Sequence, residues 1–168
     1  MAEKEEQTVS LDTDMDVGTT EVKRGWIFDE IIKVGQLEAA MSHNDEQICN
    51  IYNDMEEFGY DPAALGKLAD ELNTNYEIIK LDYDNRVGSL NAVFDSVPNS
   101  NRHYYCQVKH RATAYVIASE NFHARKCCVE AETSMVAAGR ALALTCSLAF
   151  GFEPMECLRC LDEAMKKN

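Results

Sequence analysis

The chain has 168 residues, 46% of them hydrophobic and 27% charged, with a formal net charge of −13 at pH 7. This composition fits a soluble globular domain with or without a tail, and no apolar run reaches the roughly 18 uncharged residues that a membrane span needs. A pI near 4.6 argues against general binding to DNA, RNA or anionic membranes, all of which favour a basic face.

The charge is distributed unevenly along the chain. Residues 1–100 hold 22 of the 29 acidic residues and 7 of the 16 basic ones, so the first part is strongly negative and residues 101–168 are slightly positive. Because such a field steers oppositely charged partners, we expect the front half to favour a basic partner.

The first 22 residues contain seven acidic residues, one lysine and no aromatic residue. They have too little apolar area to offset the entropy cost of ordering, so residues 1–22 are predicted to be a disordered acidic tail. Residues 23–168 are predicted to be one all-helical domain. The first ten residues of the chain, MAEKEEQTVS, have neither the basic nor the apolar region of a signal peptide, so we expect a cytoplasmic protein.

Apolar residues then recur at helical spacing from Ile27 to Met41 and again from Ile48 to Phe58. Ser42-His43-Asn44-Asp45 predicts a break between these helices, since its side chains suit N-caps. A third apolar stripe runs from Leu65 to Tyr83 and extends past Gly88 towards Val97. The segment 97–101 is the strongest internal break and a candidate sub-boundary of the domain.

Three further helices are predicted in the last third. Val108, Ala112, Tyr115, Ile117 and Phe122 indicate the first, and Met135, Ala138, Leu142, Cys146 and Ala149 form the stripe of the second. The third begins at Pro154 and is anchored by Met155, Leu158, Leu161 and Met165. No segment alternates as a strand would without also fitting a helix, so the predicted fold class is all-α, with five to seven helices in a bundle or an array of antiparallel hairpins.

One corner occurs twice, as Phe58-Gly59-Tyr60-Asp61-Pro62 and Phe150-Gly151-Phe152-Glu153-Pro154. In each copy the glycine is predicted to end one helix, the acid to cap the next and the proline to start it. Convergent corner chemistry explains this similarity better than a duplication does, and both copies predict helical hairpins.

Seven cysteines are an odd number in a chain without an export signal, so most are predicted to be buried free thiols. His123 and Cys127, with Cys157 and Cys160, have spacings that two helices would need for a zinc site, and the sequence leaves open whether they converge. Glu120 and His123 have the Glu-x-x-His spacing of di-iron bundles, but such bundles need two copies and further glutamates. We therefore predict no catalytic residue, cofactor or metal.

The segment 149–158, AFGFEPMECL, resembles the C-terminal corner of MazG-like all-α nucleotide pyrophosphohydrolases. That resemblance implies a helical dimer that hydrolyses nucleoside triphosphates with Mg²⁺ held by a Glu-Glu-x-x-Glu run and a Glu-x-x-Asp pair. Here Met135 and Ala138 stand near the places of the acidic pair, and the chain has no Glu-Glu-x-x-Glu run. The resemblance therefore implies a degenerate member.

Residues 111–131 and 144–164 also resemble two tetratricopeptide-type hairpins, because pairs such as Ala124 and Cys157 lie 33 positions apart. Proteins of that type bind peptides in a groove. We interpret the chain as a non-enzymatic, regulatory binding protein, an adaptor, chaperone or acidic inhibitor, that engages a basic protein surface or segment and is compatible with a homodimer. The alternative is the degenerate pyrophosphohydrolase.

Overall fold

The computed structural model describes residues 17–59, 61–96, 103–125 and 128–167. These residues form five α-helices and no strand: α1 (Val17–Phe58), α2 (Pro62–Phe94), α3 (Tyr105–Ala124), α4 (Val129–Phe150) and α5 (Pro154–Lys167). The all-α prediction is confirmed. Residues 1–16 of the predicted tail lie outside the described residues, and α1 begins at Val17.

The first half of α1 is the central element of the bundle. Ile27, Phe28, Ile31 and Ile32 are all at most 1% exposed, and adjacent residues can be buried together only where a helix is covered on more than one face. α2, α3 and α5 all pack against α1, and α4 packs against α3 and α5. The bundle therefore has one core, to which every helix contributes.

The predicted break at Ser42-His43-Asn44-Asp45 is wrong, because α1 runs through these four residues without interruption. Asn44 does not cap a new helix. Its side chain is 4% exposed, and its Nδ2 donates a hydrogen bond of 2.7 Å to the carbonyl oxygen of Leu72 on α2. A buried amide with a partner on another helix holds the two together instead of ending one.

Beyond Met41 the two long helices form an antiparallel arm, which we call the projecting hairpin (residues 44–77). Asn44 and Ala69 are the buried side chains among its described residues. Glu46, Asn50 and Asn53 are exposed, so the part of α1 beyond Met41 no longer has the two apolar faces that it has in the bundle. The projecting hairpin therefore departs from the bundle because of its sequence pattern.

The two corners form as predicted. Gly59 and Gly151 have φ angles of 66° and 79°, in the left-handed region that favours glycine. Asp61 accepts a hydrogen bond from the backbone N–H of Ala63 at 3.1 Å, and Glu153 accepts one from Glu156 at 2.9 Å. Pro62 and Pro154 are the first residues of α2 and α5.

The candidate sub-boundary at 97–101 lies outside the described residues, but the helices on either side of it share the core. The rings of Phe94 and Tyr105 stack with centroids 4.2 Å apart, and Phe94 also stacks on Phe150 at 5.7 Å. The Tyr105 hydroxyl donates to the carbonyl oxygen of Phe94. Residues before and after the sub-boundary therefore pack together.

Helices α1 and α3 approach each other closely at Gly35. A Cβ atom there would stand 2.8 Å from the backbone carbonyl carbon and oxygen of Ala112 on α3. We predict that Gly35→Ala destabilises the protein by about 1–3 kcal/mol, because backbone cannot yield as a flexible side chain can. Chemical unfolding followed by circular dichroism measures this change.

Gly25→Ala is the matched control, since Gly25 lies on the same helix with nothing within 4 Å of a Cβ atom. It is expected to stabilise α1 by roughly 0.5–1 kcal/mol through helix propensity. Equal effects of the two substitutions would contradict the close approach of α1 and α3.

Candidate functional site

The projecting hairpin is strongly acidic. Residues 44–77 contain nine Asp or Glu and one Lys. Among the described residues, no ion pair involves these nine carboxylates, whereas Glu30 in the bundle pairs with Arg86 at 2.6 Å and Asp29 with Lys167 at 3.3 Å. An unpaired field of this kind attracts cations from solution.

A shallow depression lies in the seam of the projecting hairpin. It has a volume of about 320 Å³ and is lined by Gln47, Asn50, Ile51, Leu68 and Leu72. Leu68 is 45% exposed, so this seam offers apolar surface within the acidic field.

A larger cleft opens where α1, α3, α4 and α5 meet, and we call it the methionine cleft. It has a volume of about 560 Å³ and is lined by Gln36, Tyr115, Val116, Ser119, Glu120, Phe122, His123, Met135, Asp162, Met165 and Lys166. Phe122, Met135 and Met165 are half-buried and give it an apolar wall. Glu120 and His123 are exposed, and Asp162 pairs with Lys166 at 3.1 Å.

Tyr115, Met135 and Asp162 line both the methionine cleft and a second cavity of about 380 Å³, which lies between α4 and α5. Tyr115 is buried. Burial raises the pKa of its phenol, and the nearby carboxylate of Asp162 raises it further. The phenol therefore remains neutral in the physiological range. Its ring fits against Gly139, where a Cβ atom would be 3.0 Å from Tyr115 Cε1.

The methionine cleft and the hairpin depression lie along one face of α1. Gln36 lines the cleft and Gln47 lines the depression. Eleven residues make about three turns, so both side chains lie on the same face of the helix, about 16 Å apart along the axis. A single extended or helical ligand can therefore reach both.

The acidic residues that a metal-dependent hydrolase would use do not converge. Asp54 is half-buried, and Glu56, Glu57, Asp70, Glu71 and Glu77 are exposed around their helices, as predicted for a solvated face. No group of three or more His, Cys, Asp or Glu residues in the described part of the chain is placed to hold a metal ion. Met135 and Ala138, near the positions of the MazG-like acidic pair, are half-buried apolar residues.

The four zinc candidates are placed very differently. His123 is exposed at the mouth of the methionine cleft, Cys157 and Cys160 are buried, and Cys127 lies outside the described residues. Burial raises the pKa of Cys157 to about 12 and also raises that of Cys160, so both thiols are neutral near pH 7. Of the described cysteines, Cys146, Cys157 and Cys160 are buried, whereas Cys49 and Cys106 are exposed.

The tetratricopeptide-type repeat is not reproduced by the helix boundaries. The offset of 33 residues relates Ala124, the last residue of α3, to Cys157, which lies in the first turn of α5. Residues 111–131 and 144–164 also share α4, so they are not two separate hairpins.

Among the described helices, α4 is long and apolar enough by length and composition to cross a membrane, with a mean hydropathy of 1.3. Of that window, 39% is buried inside the protein. In comparisons with known proteins, no protein-family model, no curated protein and no solved structure matches the chain.

The sequence did not identify the methionine cleft as a site. Met135 and Met165 were assigned to apolar stripes, and the seam that they share with Phe122 depends on how three helices meet. The available signal was the methionine itself, a flexible and polarisable side chain that is common on adaptable binding surfaces.

The described thiols are predicted to differ in reactivity. The backbone N–H of Ala131, in the first turn of α4, is the main influence that lowers the pKa of Cys128, the residue before α4, whereas burial raises the pKa of Cys157. Because the thiolate is the nucleophile, Cys128 should react with iodoacetamide at a lower pH than an ordinary cysteine peptide, and Cys157 should stay unmodified near neutral pH.

Peptide mapping by mass spectrometry after timed labelling measures both rates, and labelling in denaturant is the control that should equalise them. Labelling of native Cys157 at the rate of Cys128 would contradict the buried position of Cys157.

Proposed function

We propose that the protein is a non-enzymatic, cytoplasmic binding protein that holds a basic, amphipathic segment of another protein. The observation that carries this proposal is the alignment of the methionine cleft with the projecting hairpin on one face of α1. Apolar side chains of the partner would enter the cleft, and its basic side chains would face the carboxylates of the hairpin.

The two parts of this surface contribute differently to binding. An apolar side chain that is fully buried in the cleft contributes about 1.5–3 kcal/mol, which gives affinity and slow dissociation. The exposed carboxylates contribute mainly to the association rate and to selection of a basic partner. Phe122, Met135 and Met165 can adapt to different apolar anchors, as suits an adaptor, a chaperone or an inhibitor that occupies a basic surface.

The scattered carboxylates also support this proposal over the degenerate pyrophosphohydrolase. Hydrolysis assisted by Mg²⁺ needs oxygen ligands that converge on one ion. Incubation with Mg²⁺ and a nucleotide mixture is expected to release no pyrophosphate above background. Sustained turnover by purified protein would overturn the proposal.

Neutralising the hairpin is predicted to weaken capture of a basic helix. The probe is a fluorescent synthetic helix of about 18 residues, with leucines on one face and lysines elsewhere, long enough to span both surfaces. We expect the quadruple variant Asp54→Asn, Glu57→Gln, Asp70→Asn, Glu71→Gln to bind roughly 10–100-fold more weakly at low salt, mainly through slower association.

The control neutralises two exposed carboxylates outside the hairpin, Glu130→Gln and Glu132→Gln on α4, and the two variants are compared per charge removed. Stopped-flow fluorescence at 20 mM and 500 mM salt measures the rates. The difference between the quadruple variant and the control should shrink at high salt because exposed charges are screened. A uniform loss in both variants would contradict a role of the hairpin.

Changing the wall of the cleft is predicted to act through dissociation. Met135→Gln places an amide where the apolar anchor would lie, so the probe should dissociate about 10-fold faster at any salt concentration. Met155→Gln is the control, because Met155 is 67% exposed and does not line the methionine cleft. If the probe dissociated from both variants at the same rate, its leucines would have to bind to another surface.

A further inference from the structure

The outer face of α4 is apolar, although the opposite face already fills the core. Leu144 is 52% exposed, Leu148 is 45% exposed, Ala137 is exposed and Ala141 is half-buried. These four residues follow one another at steps of four, three and four, the spacing of a helix-pairing seam. We call them the α4 stripe.

α3 continues this apolar surface alongside. Ala114 is exposed and Ala118 is half-buried, and both share a face of α3 with Arg111. Arg111 reaches across the seam to α4, where its Nη1 donates to Thr145 Oγ1 at 2.7 Å. Helices α3 and α4 therefore present a surface of mostly small side chains, from which Leu144 and Leu148 project.

The α4 stripe is complementary to itself when a second copy is antiparallel. In such a pair the two-fold axis is perpendicular to α4 and passes midway between the levels of Leu142 and Ala143 along the helix. It places Ala137 opposite Leu148 of the second copy and Ala141 opposite Leu144. Each large side chain then faces a small one, which allows facing helices to interdigitate. A parallel pair in register would stack leucine on leucine and alanine on alanine, leaving crowded layers beside empty ones.

We propose that the α4 stripe is the interface of a homodimer, in which α4 pairs antiparallel with α4 of a second copy. The occupant is a second copy because the stripe reads small, small, large, large, so that in an antiparallel pair each large residue lies opposite a small one. A membrane does not fit this face as well. Inserting α4 would expose the opposite face, where Leu142, Cys146 and Ala149 are fully buried in the core.

Electrostatics make this association distinguishable from capture of a basic partner. Each copy has a net charge of −13, and the two-fold axis brings the exposed Arg140 side chains to the same side of the helix pair. Both effects are repulsive, so added salt should strengthen the dimer. Binding of the basic probe should instead weaken with salt, so failure of one proposal does not imply failure of the other.

Sedimentation velocity of the full chain over a concentration series tests the interface. We expect the wild type to form a dimer whose dissociation constant falls as salt rises from 50 to 500 mM. Leu144→Lys should raise that dissociation constant at least tenfold and shift the protein towards monomer. Leu81→Lys is the control, since Leu81 on α2 is a leucine that is 65% exposed, more than Leu144, and should leave the dimer unchanged.

A mixing experiment tests the register. Ala137→Glu and Leu148→Lys each place a charge in the interface at exposed positions, so each variant alone should dimerise at least tenfold more weakly. Mixed in equal amounts they should recover dimer, because the antiparallel register places the new carboxylate opposite the new ammonium group. Circular dichroism confirms that each variant keeps its helical content.

Three results would overturn the proposal. The first is a wild-type chain that stays monomeric up to 100 µM at 500 mM salt. The second is a dimer that survives Leu144→Lys, which would place the interface elsewhere. The third is co-sedimentation of the wild type with neutral phosphatidylcholine vesicles that Leu144→Lys abolishes, which would assign the stripe to a lipid surface.

Discussion

The whole arrangement depends on the continuity of α1. Its first half is enclosed by the bundle and approaches α3 closely at Gly35, and its second half leaves the bundle beside α2. Because one rigid helix joins the two environments, the acidic hairpin is held at a fixed position relative to the methionine cleft. A break after Met41 would have left the arm and the bundle free to reorient. Asn44, bonded to the carbonyl oxygen of Leu72, holds the point where the arm begins.

Local rules were sufficient to predict most of the fold. The corners at Gly59 and Gly151 follow from glycine, acid and proline in the order that each corner requires, and the apolar periodicity gives the helices. The break before Asn44 was predicted wrongly because the same side chain suits an N-cap and an interhelical hydrogen bond. Asn44 forms the interhelical hydrogen bond because the carbonyl oxygen of Leu72, 28 residues away in the sequence, lies beside it. Rules that consider only neighbouring residues cannot predict that contact.

The candidate surfaces were only partly predictable. The acidic field of the hairpin is a property of composition, so its existence follows from the sequence, whereas its alignment with a cleft does not. Periodicity predicts that Ile117 and Met155 lie in apolar stripes that face the core, but they are 48% and 67% exposed. Ser119, which belongs to no predicted stripe, is only 5% exposed. An apolar stripe indicates which side of a helix turns towards the core. The neighbouring helices then determine which residues at the edges of that side are buried.

The position of the apolar side chains left uncovered argues for function. Burying Leu144, Leu148 and the methionines of the cleft within the chain would have required further helical surface, and the described helices provide none there. A chain with a net charge of −13 keeps single apolar residues soluble, so such residues can remain on the surface at little cost. The exposed apolar residues also follow a pattern: the leucines of α4 are spaced to face alanines of a second copy, and the methionines line the cleft where four helices meet. This arrangement is the reason that we propose partners for both surfaces.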